Sequence, residues 1–582
     1  MDLKARVAAL RNLDPDALSE AELRLTVPLL LSLAEDLLAR QAALETEIRA
    51  LKEEVVRLKG GQGRPKLPGG GAGRSSRGGG IIHPISEPTD HSSETERRER
   101  ETRKPWQKSA KLEALAVDRE EYRPCEGPLP TDAQYKGTVP VVVQDLVLRT
   151  ETTRFLRAKY YSPSTGKTYL GALPPGYEGQ FGPGVRTLAL ALTYGCHLSQ
   201  PLVHGFFTDA GLRISRGQVS ACVTRGLERF HGEQAAVLAA GLRSSPWQHL
   251  DVTPTRVNGV SHACHVLGNP LFASYYTTLH QDRDAALDAL RGGAVRQYRL
   301  DATAFACLAE YGLSQTLRRA LALFPQEHTW SAADFSRLLD RRLPCLGPEQ
   351  RKQIADAAQI AAYWADPLWP VVQCLVVDDA APFPTLTPEL ALCWVHDGRH
   401  YAKLNPQFDC HRRELCLFRK RYWDYYRDLL AYREAPSSAA VVRLEAAFDQ
   451  LFGGTAGWTE LETCIRRTQA NKTKLLRVLV HPELPLHNNP AELLARRRVR
   501  KRGYPRCGWI SFGPRSATGM RAWDTFQGLV ETTRKLGIRF WNYLRDRVTE
   551  AGEVPPLAEV ITRQAAQLRL GASWEPRLAP DY

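Results

Sequence analysis

PWQHLDVTPTRVNGVSHACHVLGNPLFASYYTTL, Pro246 to Leu279, decides the architecture of this chain. The first run is apolar up to Asp251, and SHACHVLG and LFASYYTTL then alternate or cluster apolar residues as successive strands do. Three strands in direct succession make a meander with a carboxylate, Asp251, where the opening apolar run ends. A second apolar run, WPVVQCLVVDDAAPF, ends at Asp378 and Asp379. Further along, PLHNNPAELLARRRVRKRGY, which opens at Pro485, sets Glu492 in the first turns of a helix that becomes strongly basic.

Two strand-end aspartates and one helical glutamate are the ligand set of two-metal phosphoryl transfer. Mg²⁺ takes hard oxygen donors and keeps several waters, so a few carboxylates, completed by phosphate oxygens of the substrate, suffice. Two such ions activate the attacking oxygen and stabilise the leaving one. A carboxylate beside a run of cations points to a phosphate backbone as the substrate. Plainer readings compete. Asp251 can simply end a strand, and Glu492 can be an N-terminal helix charge facing the macrodipole, paired with Arg496 one turn on. The second accounts for the glutamate but not for the HNN that precedes it.

LDVTPTRV, LVVDDAAPF followed by LCWVHDGRHY, and PLHNNPAELLARRRVRKR together resemble the motifs of the insertion-sequence-sixty-six (TnpC-type) group of DDE transposases. The motifs stand in the right order, and the resemblance spans most of the chain, to the terminal helix AWDTFQGLVETTRKLGIRFWNYLRDRV. It implies an α/β fold: an RNase H-like catalytic core, with a mixed five-stranded sheet and flanking helices, that carries a helical insertion. Asp251, Asp378 and Glu492 are then the catalytic residues and the ligands of two Mg²⁺ ions, with Mn²⁺ as a substitute. His396 or Arg399 would meet the scissile phosphate. The implied enzyme binds the ends of a mobile element, cleaves there and joins the 3′-hydroxyl to target DNA. Its partners would be double-stranded DNA, as terminal repeats and target, and any accessory proteins of the element, in a prokaryotic cytoplasm at the nucleoid. The alternative from another class is a catalytically silent, transposase-derived DNA-binding regulatory or architectural protein. Strand counting alone selects a different second aspartate, because the first strand after DRDAALDALRGG is RQYRLDAT, which ends in Asp301. The DDAAPF and CWVH pairing carries the resemblance, so Asp378 is preferred, with Asp379 and Asp301 as competitors. LAEYGLSQTLRRALALF and QRKQIADAAQIAAYWA then read as the insertion.

Composition agrees with a polyanionic partner. The 582 residues carry a formal net charge of +14 with 43% hydrophobic residues, a basic, globular, multidomain chain. Its 12 cysteines include no CxxC pair, and no secretory pattern opens the sequence, which suits reduced thiols in a cytoplasm. The longest apolar stretch, TLALALTYGCHL near Leu190, is too short for a membrane span and reads as a core helix.

The N-terminus repeats Leu30, Leu37, Leu44, Leu51 and Leu58 every seven residues, with Ala34, Gln41, Ile48 and Val55 at the other seam position. Arg40, Glu47 and Glu54 face Glu45, Lys52 and Lys59 of a parallel partner, complementary in all three pairs, so residues 30–58 are expected to self-associate as a coiled coil. Gly, Ser, Pro, Arg and Glu then dominate to about Ala110, a disordered linker. TVPVVVQDLVLRTETTRFLRAKYYSPSTGKTYL reads as strands with a turn at SPSTGK; zinc modules of relatives occupy this place, but only Cys125 stands here, so no zinc is expected. LSQPLVHGFFTDAG, closed by Gly211, and RGQVSACVTRGLERF, capped by Ser215, fit a helix-turn-helix whose second helix would offer Arg216, Gln218, Ser220 and Arg225 to a major groove. Arg496, Arg497, Arg498, Arg500, Lys501 and Arg502 would hold backbone phosphates without reading sequence. Cys393, His396, His400, Cys410, His411 and Cys416 have zinc-like spacing. Cys393 and His396 fall at a buried strand and its end, where such residues occur without metal, and zinc is not expected there. The expected domains are 1–59 with the coiled coil, 60–110 linker, 111–180 small β-rich module, 181–240 helix-turn-helix region, 241–545 catalytic domain with an insertion about 302–370, and 546–582 tail.

Overall fold

A computed structural model describes residues 116–499 and 513–574, apart from Glu126, Pro128, Val147, Glu178, Ala381, Pro382 and Thr455, together with Leu30, Ala34, Gln41, Leu44 and Glu47. Those five N-terminal residues are helical. The other heptad positions, the 60–110 segment, and Arg500, Lys501 and Arg502 lie outside the described residues. The chain packs as two compact units: one runs to Arg225 and includes Leu544–Ala551, and the other holds Gly226–Tyr543 and the chain from Gly552.

In the first unit, β1 (Lys159–Ser162) and β2 (Lys167–Leu170) pair antiparallel around the expected SPSTGK turn. Among the described residues no strand forms over TVPVVVQDLVLR, contrary to the alternation of that segment. Val139 and Val143 there are 88% and 78% exposed, since a strand needs a neighbouring ladder and none lies beside it among the described residues. Helix α1 (Pro183–Leu190) buries Thr187, Ala189 and Leu190, as the core-helix reading requires. Helix α2 (Gln200–Asp209) is capped by Ser199 and followed by Gly211 at φ +86°. Helix α3 (Arg216–Thr224) opens on a capping box: Ser215 Oγ accepts from Gln218 N and Gln218 Oε1 accepts from Ser215 N. It is shorter than the sequence suggests. Gly226, at φ +60°, takes the left-handed conformation that stops a helix, and Leu227 onward belongs to the next one.

The second unit begins with α4 (Glu228–Arg243) and the meander: β3 (Trp247–Val257), β4 (Val260–Gly268) and β5 (Ala273–Thr278). Asn258 and Gly259, at φ +48° and +81°, make the two-residue hairpin turn whose twist matches the strands. Helix α5 (Arg283–Leu290) is followed by β6 (Gln297–Arg299), α6 (Ala302–Glu310), α7 (Gln315–Ala322), β7 (Thr329–Ser331), α8 (Ala332–Arg342) and α9 (Pro348–Trp364). The main sheet then resumes with β8 (Cys374–Val377) and β9 (Glu389–Leu392). Its order is β5-β4-β3-β8-β9, with the meander antiparallel and β3, β8 and β9 parallel. Every residue of β8 is buried, as a central parallel strand demands. The strand that ends near Asp301 is no part of this sheet, because β6 pairs with β7 in a ribbon of its own.

Helices α10 (Trp394–Ala402), α11 (Asp409–Glu434), α12 (Ser438–Phe452) and α13 (Thr459–Ala470) follow β9. Helix α14 (Asn489–Val499) lays Leu494 and Ala495 on Cys264, Val266, Ala273 and Tyr275 of β4 and β5. Helix α15 (Ala517–Lys535) covers edge strand β5: Asp524 accepts from Thr277 N and Oγ1, and Thr532 Oγ1 from Ala273 N. Side chains of α15 thereby fill a ladder that would otherwise be open.

Candidate active site

Strand register brings the two aspartates together. His249 of β3 lies opposite Val376 of β8, and the same offset carried two residues on sets Asp251 opposite Asp378, just past the end of β8. Side chains alternate faces along a strand, so both acids rise from the face on which α14 packs. Asp251 Oδ1 accepts from Val252 N at 2.8 Å. Burial, with the nearby charges of Asp378 and Glu492, pushes its carboxyl up to about 6 against the opposing pull of Val252 N–H and Arg399. Burial likewise raises Asp378, partly offset by His396. Asp378 Oδ1 is buried and has no hydrogen-bond partner.

Glu492 arrives through a latch in the HNN motif. Asn488 Nδ2 donates to Leu250 O at 2.9 Å, its Oδ1 meets His249 Nδ1 at 2.9 Å, and its backbone N–H reaches Cys393 Sγ at 3.2 Å. Because the amide oxygen accepts, His249 Nδ1 carries the proton; burial holds this imidazole down to about 3, so it is neutral. One asparagine thus ties the start of α14 to β3 beside Asp251, and Asn488 O accepts from Glu492 N in the first turn. Sequence reasoning left the HNN unexplained. Its partners, His249 and Cys393, lie 239 and 95 residues away.

Cations surround the glutamate. Arg399 Nη2 donates to both Glu492 oxygens, at 3.1 and 3.3 Å, and Arg496 Nη2 donates to Oε1 at 3.1 Å. Burial would raise Glu492, but Arg399, Arg496 and His396 outweigh it and hold the carboxyl below its usual range. Arg399 Nη1 also donates to His396 Nε2 at 2.8 Å, which leaves the His396 proton on Nδ1. Burial and Arg399 lower that imidazole.

The competing aspartates are engaged elsewhere. Asp379 Oδ2 accepts from Arg467 Nη2 at 2.8 Å, Arg467 Nε at 3.2 Å and Asn471 Nδ2 at 3.3 Å. Asp301 caps α6 through Ala304 N at 3.1 Å and pairs with Arg299 at 2.9 Å. Among the residues expected to hold DNA, Arg216 and Arg225 are exposed, whereas the Gln218 amide is spent on the cap and on Gln180 Oε1 at 3.1 Å. Arg496 is half-exposed on Glu492. Arg498 departs from expectation: its side chain is 2% exposed and meets Asp524 at 2.9 Å and Thr277 Oγ1 at 3.0 Å. It is a core ion pair that joins α14 to β5 and α15, out of reach of a phosphate, and Arg497 pairs with Glu531. Of the zinc-like group, Cys393 accepts from Asn488, Cys410 is exposed and His411 stacks on Trp458.

Among the described residues no three carboxylate, imidazole or thiol groups already enclose a cation-sized site, Asp251, Asp378 and Glu492 included. The donor set nonetheless fits a divalent cation. It offers hard oxygens, one of them buried without a partner, on two acids whose mutual repulsion a cation would relieve.

Over 342 residues the chain is 29% identical to the uncharacterized protein y4jO of Sinorhizobium fredii, an alignment that covers 56% of this chain and 100% of that protein. Residues 357–509 match the family model described as Transposase IS66 family, a span that takes in Asp378, His396, Arg399 and Glu492 but not Asp251. Residues 357–509 of this chain are thus similar to the transposase IS66 family.

Proposed function

We propose that the protein is a DDE transposase whose five-stranded sheet is an RNase H-like catalytic core. The observation that carries this reading is that three acids from distant parts of the sequence come near one another: Asp251 lies opposite Asp378 by strand register and within electrostatic reach of both Asp378 and Glu492. Two Mg²⁺ ions held by these three residues, with Mn²⁺ as a substitute, would supply an activated oxygen nucleophile and stabilise the leaving oxygen. Asp251 and Asp378 are fixed by strand register, and Glu492 by the Asn488 latch. Arg399 is steadied by His396 Nε2 and holds Glu492 through Nη2, and its guanidinium would be released to a phosphate oxygen once a cation took that carboxylate. The neutral imidazole of His396 keeps its remaining proton on Nδ1, a donor for the same group. The substrate is double-stranded DNA, which the excess of 78 Lys and Arg over 64 Asp and Glu favours. Recognition of element ends falls to α2 and α3, with Arg216 and Arg225 as phosphate or base contacts. Residues 30–58 would hold two copies together.

One observation favours a second reading, a silent DNA-binding regulator: Glu492 is already engaged by Arg399 and Arg496. A strand-transfer assay on labelled duplex that carries the DNA bordering the protein's own reading frame separates the two. The transposase reading expects Mg²⁺-dependent joined products that vanish in Asp378→Asn and persist in Asp301→Asn. Binding without any joined product would establish the regulator instead.

A further inference from the structure

The site as described uses His396 and Arg399 of α10, but the same helix continues the pattern outward. His396, Arg399, His400 and Lys403 fall at i, i+3, i+4 and i+7, one face of a helix. The acid of α10, Asp397, is turned inward and bound by Thr468 Oγ1 at 2.9 Å and Tyr422 Oη at 3.0 Å, so the outer face carries no carboxylate of its own. Arg467 of α13 joins that face: its Nη1 lies 3.3 Å from His400 Nδ1, while its other nitrogens hold Asp379. Lys403 is exposed and has no carboxylate partner among the described residues. The opposite face is immobile. Trp394 is fully buried, and Gly398 lies so close to the Trp423 ring that a Cβ there would come within 2.8 Å.

We propose that this face of α10, with Arg467, is a rail for the phosphates of the DNA strand that leads away from the scissile bond. The proposal rests on the transposase reading above and names the path of its substrate. Its occupant follows from charge: Arg399 and Lys403 of α10 and Arg467 of α13, with two imidazoles, begin at the carboxylate pair and end in solvent, where Lys403, unlike Arg399 on Glu492 and Arg467 on Asp379, holds no carboxylate among the described residues. Burial and the adjacent cations lower His396 and His400, so both rings are neutral and serve to orient the arginines that they touch. From residue 396 to 403 the helix rises about 10 Å at about 1.5 Å per residue. Along the duplex axis one strand advances about 3.4 Å per phosphate, so the rail spans at most about three successive phosphates.

The test is the salt dependence of affinity for a random-sequence duplex, measured by fluorescence anisotropy on the full chain. Lys403→Gln alters an exposed side chain at the end of α10 and leaves packing untouched. It is expected to flatten the slope of log affinity against log salt by about 0.9, and the double variant with Arg467→Gln by about twice that. Arg337→Gln, which changes an exposed cation of α8, serves as the control and is expected to leave the slope alone. A slope in Lys403→Gln equal to that of the wild type would overturn the rail while the transposase reading stands. Wild-type protein that shows no salt-dependent binding would remove the DNA reading itself, and the rail with it.

Discussion

Asp251 is a carboxylate held in conflict with its surroundings, and the conflict has a measurable sign. Its value in the fold, about 6, lies above the usual 3.8 because of burial, with Asp378 and Glu492 adding to it. A carboxylate raised in the folded state contributes stability at low pH and loses it as pH climbs from about 4 through about 6. Above that window the ionised group costs the metal-free fold on the order of 2 to 3 kcal/mol. Asp251→Asn should therefore melt higher than wild type at about pH 8 in chelator, and together with it at about pH 4. Equal melting at both would show that Asp251 is not buried against other acids. The candidate acids themselves were legible, because apolar runs end on Asp251 and Asp378 and the HNN motif precedes Glu492. The choice between Asp378 and Asp379 was not. What separates them is Arg467 and Asn471, 88 and 92 residues from Asp379, and local pattern cannot register partners so distant. Arg498 was misplaced for the same reason, since a run of cations reads alike whether its members face water or Asp524.

Helix α14 is held at two places that do opposite work. At its start, Asn488→Ala would leave Leu250 O and His249 Nδ1–H buried without their partner, a loss of about 1–3 kcal/mol for each unsatisfied group. Chemical denaturation should register that loss, and strand transfer should fall with it as Glu492 loses its anchor; an Asn488→Ala protein as stable as wild type would dismiss the latch. At its end, Arg498→Ala would strand Asp524 as an uncompensated buried charge and cost about 3–5 kcal/mol. The salt slope of DNA binding should not move, and a flattened slope with unchanged stability would restore the phosphate role. Among the strands, the apolar and alternating runs made β3 to β5 readable, and the apolar run made β8 readable. The same alternation misled at Thr138 to Arg149, where no ladder is present among the described residues. Alternation reports what a strand can bury, and pairing decides whether it becomes one. For α3, nine residues were taken as fifteen because Gly226 was read as helical.

At the scale of the whole molecule, the proposed DNA-recognition residues Arg216 and Arg225 fall in one compact unit and the three acids in the other. Replacing both arginines by alanine should weaken duplex binding and flatten its salt slope by about two, while the circular-dichroism melt stays that of the wild type. An unchanged slope would take α3 out of the DNA interface. The five-stranded mixed sheet was expected from the family resemblance that the three motifs in order carry, not from strand pattern alone. The β6–β7 ribbon was not legible, because its short strands have too few residues to show a period. The central claim, that Asp251, Asp378 and Glu492 form one phosphoryl-transfer centre, is tested most directly by anomalous diffraction from crystals of the protein with duplex DNA and Mn²⁺. The account predicts Mn²⁺ peaks bonded to carboxylate oxygens of both Asp251 and Asp378 and absent from Asp378→Asn crystals. Peaks at Asp379 or Asp301 that survive in Asp378→Asn would contradict it.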